Sequence, residues 1–186
     1  GYAANSLGDP TARLAGRLTL NPLPHIDPIG SIFVPALLVF FGLPFIGWAK
    51  PVPYNPYNLR NQRWGEAAVA MAGSATNLFL ALLFGLVIRF VPLSSTMLSF
   101  TAIIVFVNLS LGIFNLIPFP PLDGFTTLRA ALPWNISRYL GEFEAQVRGG
   151  GIVMLLLFIV LFSSLFARLF ITFIYWLFIL IAGSGG

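Results

Sequence analysis

Residues 67–117 read AAVAMAGSATNLFLALLFGLVIRFVPLSSTMLSFTAIIVFVNLSLGIFNLI, and this stretch decides the fold. It holds two long apolar runs, residues 67–91 and 98–117. An α-helix needs about 20 mostly apolar residues to cross a bilayer, so each run predicts one membrane-spanning helix. Only residues 92–97 separate the runs, which predicts an antiparallel helical hairpin.

The composition of the whole chain agrees with this prediction. Of its 186 residues, 58% are hydrophobic and 9% are charged, whereas about 25% of a typical soluble domain is charged. We therefore expect an integral, multi-pass membrane protein whose surroundings are the lipid bilayer. The net charge of +4 is not concentrated in a basic stripe, which argues against nucleic acid as a partner. Because the chain has no cysteine, disulfides and thiolate metal sites are excluded.

Two further apolar stretches extend the helical prediction. Residues 151–182 are interrupted only by Arg168 and, at about 1.5 Å per residue, exceed the ~30 Å hydrocarbon core, so we divide them near Arg168. Residues 32–48 contain two prolines and two glycines, which predicts a short span or a re-entrant segment. Basic residues on both sides of the hairpin place residues 118–149 in the cytoplasm.

The predicted fold class is an all-α polytopic membrane protein with about four or five transmembrane or re-entrant helices. Short β elements are expected at the membrane surface, because residues 13–20 end in period-two alternation and residues 49–54 carry prolines at alternate positions. We expect a single membrane-embedded domain over residues 1–186. It would include a surface region of β elements and loops at 1–30 and a cytoplasmic loop and linker at 118–149.

One acidic residue stands out in the sequence NLIPFPPLDG at residues 115–124. The preceding helix is predicted to end at Pro118, and two further prolines prevent it from continuing at once. Asp123 therefore follows irregular backbone, which at membrane depth is tolerated only inside the protein or beside a wet cavity. Two interpretations fit equally well: a functional carboxylate, or an N-cap of a helix that begins near Gly124.

Small and polar side chains recur along the two helices of the hairpin. Asn108 and Asn115 lie seven positions apart and so share one helical face. Their amides are candidates for binding an extended peptide backbone; the alternative is interhelical hydrogen bonding, which the pattern favours for Asn108. On the preceding helix, Ala68, Ala72 and Thr76 predict a packing ridge.

His25 is the only histidine of the chain. One histidine cannot build a typical catalytic zinc site, which uses about three protein ligands and a water. Convergence of His25, Asp27 and Asp123 is one possibility. The alternative, which the pattern favours, is a loop histidine that bonds to backbone groups.

With these residues in view, the chain resembles the site-2 protease family of intramembrane zinc metalloproteases, peptidase family M50. The resemblance covers about residues 1–130, and the LDG stretch after a proline-rich break carries the most specific part of it. The matching stretches are LGDPTA at 7–12, AGRLTLNP at 15–22, HIDPIG at 25–30, GWAKPV at 47–52, AGSATN at 72–77, FNLIP at 114–118 and LDG at 122–124.

The resemblance implies a specific chemistry. In that family two histidines of an HExxH motif and the LDG aspartate hold a Zn²⁺ ion, and the HExxH glutamate is the general base. By this resemblance Asp123 is a metal ligand, Asn115 lies near the active site, and His25 is a supporting catalytic candidate. The implied function is an intramembrane endopeptidase that cleaves transmembrane protein substrates in a prokaryotic plasma membrane. The sequence carries no prediction of oligomeric state.

The chain also departs from the family pattern. It contains no HExxH motif, so its zinc site is incomplete. We expect the motif immediately before Gly1 in a longer natural protein, and we expect this chain alone to be inactive. Ser74 stands where proline is common, and Phe125 where a small residue often follows LDG. The alternative function is a non-catalytic relative, or an ion-binding or transporter-like membrane protein that uses Asp123 and Asn115.

Overall fold

The computed structural model divides the chain into two compact units, Gly1–Gly65 and Glu66–Gly186. Its described part is helical and contains no β-strand. The residues that the structure describes are 1–42, 47, 49–120, 122–150, 154, 160–162 and 164–183.

The first unit consists of short helical turns joined by loops. Its regular elements are α1 (Tyr2–Ser6), α2 (Thr11–Leu14), a 3-10 turn at Leu23–His25, a π-helical turn at Pro28–Phe33, α3 (Val34–Phe40) and a 3-10 turn at Pro56–Asn58. Asp27 caps the π-helical turn, because its carboxylate accepts hydrogen bonds from the Ile29 and Gly30 amides at 3.0 and 2.9 Å. The segment predicted at 32–48 is helical as far as Phe40 and falls in part outside the described residues.

A buried carboxylate holds the first unit together. Asp9 is fully buried and accepts hydrogen bonds from the Asn55 amide at 2.7 Å and from the Asn58 side chain at 3.0 Å. The backbone and hydroxyl of Thr11 also donate to it. Burial alone raises the pKa of Asp9, but these hydrogen bonds outweigh it and lower the pKa from 3.8 to about 2. Asp9 thus fastens the segment before Gln62 to the beginning of the chain.

Among the described residues from Gln62 onward, five helices have defined bounds. The connection after α4 is short, and Ser94 caps the next helix by accepting a hydrogen bond from the Met97 amide at 3.4 Å. The long apolar run after residue 150 is broken at Phe166, which confirms the predicted division near Arg168. The helices are α4 (Gln62–Phe90), α5 (Ser95–Asn115), α6 (Asp123–Ala131), α7 (Trp134–Gly149) and α8 (Ala167–Ala182).

The core of the second unit lies between α4, α5 and α8. Four side chains form its buried centre: Ala81 of α4, Val105 and Leu109 of α5, and Ile174 of α8. Gly112 lets α5 approach α4 closely, because a Cβ at this position would lie 2.8 Å from Leu78 Cδ2. This packing fixes the C-terminal end of α5, from which the chain leads to Asp123.

The two helices of the hairpin have the length and the apolar composition that the sequence predicted for membrane spans. Among the described residues, α4 and α5 are the helices long and apolar enough to cross a membrane. The described part of α8 is apolar but has only 16 residues. The count of four or five spans therefore stays a prediction.

The predicted surface β elements are wrong for the described residues. Residues 13–20 and the described part of 49–54 form no strand. Arg17 Nη2 donates to the Lys50 carbonyl at 2.7 Å, and the Lys50 amide donates to the His25 carbonyl at 3.0 Å. The two segments thus meet through single bonds; Pro51 and Pro53 lack the N–H groups that a β ladder would need.

The ridge predicted on α4 is not covered by the described residues, so its packing role stays a prediction. Ala68 and Thr76 are exposed, and the Thr76 hydroxyl donates to the Ala72 carbonyl of its own helix at 2.7 Å. The buried side chains of α4 include Ala67, Ser74 and Ala81, which recur every seventh residue. The face that packs against the described residues therefore differs from the predicted one.

Candidate functional site

Asp123 is the first residue of α6, directly after the proline-rich connection from α5. Leu122 occupies the N-cap position, and no side chain caps the helix. The N-cap interpretation of Asp123 is therefore wrong, and its carboxylate is available for another role. Gly124 allows this arrangement, because a Cβ there would lie 2.8 Å from the Ile117 carbonyl oxygen and closer still to the Leu116 carbonyl.

The Asp123 carboxylate lies beside two small residues of α4, Gly73 and Ser74. Ser74, which is fully buried, donates its hydroxyl to Asp123 Oδ2 at 3.4 Å. A Cβ on Gly73 would lie 3.6 Å from the same oxygen. Burial raises the pKa of Asp123, and the bond from Ser74 opposes this change. The serine that departs from the family pattern is thus the hydrogen-bond partner of the candidate ligand.

An ion-pair network fixes the helix that carries Asp123. Arg129 of α6 contacts Glu66 Oε2 at 2.6 Å and Glu144 Oε2 at 3.6 Å. Glu66 lies near the start of α4, and Glu144 lies on α7 with its side chain 9% exposed. Arg129 therefore ties α6 to two other helices. The sequence analysis missed this network, because no spacing pattern relates these three residues.

The two candidate asparagines of α5 have different environments. Asn108 donates its side-chain amide to the Ile104 carbonyl of its own helix at 2.8 Å, so the favoured interhelical bond is not formed with the described residues. Asn115 is the last residue of α5, is half-buried, and makes no hydrogen bond through its amide with the described residues. Asn115 is thus the asparagine that stands near the connection to Asp123.

His25 is engaged within the first unit. Its Nε2 lies 3.2 Å from the Thr19 carbonyl oxygen, and its Nδ1 lies 3.4 Å from Arg17 Nη2. A neutral ring with its proton on Nε2 satisfies both contacts, since Nδ1 then accepts from Arg17. This is the backbone-bonded histidine that the sequence pattern favoured. Its candidate catalytic role stays a prediction.

Comparison with known proteins identifies the family. A protein of Bacillus subtilis (strain 168) named "Putative zinc metalloprotease YwhC" is 36% identical over 167 residues, which cover 85% of this chain and 72% of that protein. The chain belongs to peptidase family M50. The M50 family model matches residues 91–160, which contain α5, the proline-rich connection and Asp123.

A second M50 relative matches almost the whole chain. The Mycolicibacterium smegmatis (strain ATCC 700084 / mc(2)155) protein named "Putative zinc metalloprotease Rip2" is 31% identical over 179 residues. The match covers 95% of this chain and 66% of that relative. No solved structure shows a significant match.

The donor set of this M50 chain does not complete a zinc site. A catalytic zinc ion takes about three protein ligands, usually histidine, cysteine or carboxylate. The described residues contain no group of three or more such side chains that could hold a metal ion. Asp123, which accepts a hydrogen bond from Ser74, is one carboxylate, so the described residues do not bring together the donors of a zinc site.

Proposed function

We propose that this chain is the larger part of a zinc metalloendopeptidase that cleaves transmembrane proteins within the bilayer. Asp123 is the metal ligand that the chain contributes. The observation that carries this proposal is the Asp123 carboxylate itself, which does not cap its helix and accepts a hydrogen bond from buried Ser74. A carboxylate oriented in this way matches the ligand that a metalloprotease needs beside its histidines.

The other ligands and the general base are proposed to come from sequence outside residues 1–186. The zinc metalloprotease names of the relatives support metal dependence, and their greater length leaves room for further ligands. The chain contains one histidine and no HExxH motif, so a pair of histidine ligands cannot come from it. We therefore assign no catalytic step to the present residues.

An apolar cavity beside the connection to Asp123 supports a hydrophobic substrate. The cavity has a volume of about 660 Å³. Ile117, Pro118 and Phe119 form one wall, and Phe143 and Val147 of α7 form another. Since this wall leads directly into α6, an apolar segment in the cavity would lie beside the proline-rich connection. This location agrees with substrates that are themselves membrane-spanning. The bacterial origin of the relatives supports a prokaryotic plasma membrane as the location of the chain.

The asparagines receive separate roles in this proposal. Asn115 is assigned to substrate binding near the metal, because its amide has no partner among the described residues and stands at the end of α5. Asn108 is a weaker candidate, since its amide nitrogen already donates to the Ile104 carbonyl. The amide oxygen of Asn108 is the group that would accept a hydrogen bond from the substrate.

The test uses protein extended upstream by about one helix (~20 residues) and reconstituted in liposomes. The substrate is a single-span apolar peptide with a fluorophore at one end and a quencher at the other. We expect cleavage within the apolar segment, located by mass spectrometry, and its loss on adding a zinc chelator. Asp123→Asn should abolish cleavage, because an amide is a much poorer zinc ligand than a carboxylate.

The matched control is Glu142→Gln, which neutralises another carboxylate of the second unit. The side chain of Glu142 is 63% exposed and, among the described residues, pairs with Arg138 of its own helix. This variant should cleave at the parental rate. Cleavage by Asp123→Asn at the parental rate would contradict the proposal, and absence of cleavage by the parent would favour the non-catalytic or ion-binding alternative.

A further inference from the structure

The first unit contains a cavity, lined by charged side chains and prolines, for which the protease proposal has no use. Its volume is about 660 Å³, within the range of roughly 300–1,000 Å³ that small-ligand sites occupy. Its walls include Arg17, Asp27 and Lys50 and three prolines, Pro24, Pro51 and Pro53.

Arg17 is buried in the wall of this cavity without a full set of partners. The residue is only 7% exposed. Its Nη2 donates to the Lys50 carbonyl at 2.7 Å and lies 3.4 Å from His25 Nδ1. Its Nε is buried and has no hydrogen-bond partner among the described residues. The guanidinium in the cavity wall therefore has an incomplete set of acceptors, and this favours an oxyanion beside it.

The charges around the cavity favour an anion. Arg17 and Lys50 are cationic, and Asp27 is the acidic residue that lines the same space. Asp27 Oδ1 already accepts from the amides of Ile29 and Gly30, so part of its negative charge is compensated by the helical turn that it caps. The His25 ring contacts Arg17 from the other side. The formal charge of these groups is thus one positive unit in excess.

The prolines decide which groups can contact a ligand. Because proline has no N–H group, the wall formed by Pro24, Pro51 and Pro53 donates no backbone hydrogen bonds. Recognition of an anion then depends on the guanidinium of Arg17 and the ammonium of Lys50. Lys50 is exposed and makes no ion pair with the described residues, so its side chain is available to a ligand.

We propose that this cavity binds a phosphate group, and that its source is the head group of an anionic membrane lipid. Arginine and lysine are the side chains that bind phosphate most often. Anionic head groups also attract cationic side chains at the membrane surface. Each lysine or arginine contributes about 1 kcal/mol to binding, which corresponds to roughly a fivefold change in affinity for the lipid. The proposal does not depend on the protease function.

The experiment is calorimetric titration of the full chain in neutral detergent micelles. The probes are short-chain phosphatidylglycerol, short-chain phosphatidylcholine and sodium phosphate. We expect saturable binding of phosphatidylglycerol at one site, with weaker binding of phosphatidylcholine because its head group carries a compensating positive charge. Binding of sodium phosphate with equal affinity would retain the phosphate site and identify free phosphate as its source.

Substitutions that remove either a positive or a negative charge from the cavity test whether electrostatic attraction drives binding of the anion. Lys50→Gln should weaken binding of phosphatidylglycerol about fivefold, whereas Asp27→Asn keeps the helix cap and should strengthen it. Arg13→Gln is the matched control, since Arg13 is exposed on α2 and does not line the cavity. Arg17→Gln should abolish binding; if this variant does not fold, Lys50→Gln carries the test. Equal affinities of Lys50→Gln, Arg13→Gln and the parent, or no binding of any phosphate probe, would overturn the proposal.

Discussion

Replacing Gly124 by alanine should displace α6 and with it Asp123. The added Cβ would lie 2.8 Å from the Ile117 carbonyl oxygen and closer to the Leu116 carbonyl. Both groups belong to the backbone, which cannot rotate away as a side chain can. Overpacking of this kind costs typically about 1–3 kcal/mol, and alanine regains up to about 1 kcal/mol of helix propensity. We expect Gly124→Ala to lower the free energy of unfolding by about 2–3 kcal/mol. This value lies at the upper end of the overpacking range because the atoms that the new Cβ meets belong to the backbone.

Two other glycines provide graded controls for Gly124→Ala. In Gly112→Ala the new Cβ meets the Leu78 side chain at 2.8 Å, and this side chain can adopt another rotamer, so a smaller loss is expected. In Gly149→Ala no described residue lies within 4 Å of the new Cβ, so the change should be neutral or stabilising by up to about 1 kcal/mol. Unfolding in mixed micelles with increasing dodecyl sulfate, followed by near-ultraviolet circular dichroism, ranks the three variants. Equal stability of Gly124→Ala and Gly149→Ala would refute the reasoning.

Two further perturbations test the packing of each unit. Arg129→Ala removes the cation that contacts Glu66 and Glu144 at 2.6 and 3.6 Å. It should lower the free energy of unfolding by about 2–3 kcal/mol in the same assay. Glu142→Gln, whose pair with Arg138 is more than half exposed, should lower it by no more than about 0.5 kcal/mol. Asp9 has a folded-state pKa of about 2, below its usual 3.8, so between these values the folded state binds fewer protons than the unfolded state. The free energy of unfolding of the first unit should therefore fall by about 1–2 kcal/mol as pH decreases from about 4 to about 2. Asp9→Asn should remove this pH dependence, measured by hydrogen exchange of amides in residues 1–65, and an unchanged profile would contradict the role assigned to Asp9.

The sequence predicted the hairpin because hydrophobic length and proline are local signals. The apolar runs at 67–91 and 98–117 correspond to α4 and α5 within a few residues at each end. The irregular connection before Asp123 follows from prolines that cannot continue a helix. Because these features depend on residues that are close together in the sequence, they can be predicted without knowledge of the fold.

The features that the sequence did not reveal depend on contacts between distant residues. Ser74 and Asp123 are 49 positions apart, and Arg129 and Glu66 are 63 apart. Period-two alternation at 13–20 predicted a strand, but a strand forms only with a partner, and the partner segment carries Pro51 and Pro53. The small residues of α4 predicted one packing ridge, and the face that packs against the described residues is a different one, which depends on contacts with distant residues.

The measurement that tests the central claim most directly is the zinc content of purified protein extended upstream by about one helix (~20 residues). We predict about one zinc ion per chain for the parent and for Glu142→Gln, and little or none for Asp123→Asn. Ser74→Ala should keep the zinc but bind it less tightly, about 10-fold or more, since it loses the hydroxyl that donates to the ligand at 3.4 Å. Equal zinc content in the parent and Asp123→Asn, or no zinc in either, would contradict the assignment of Asp123 as a metal ligand.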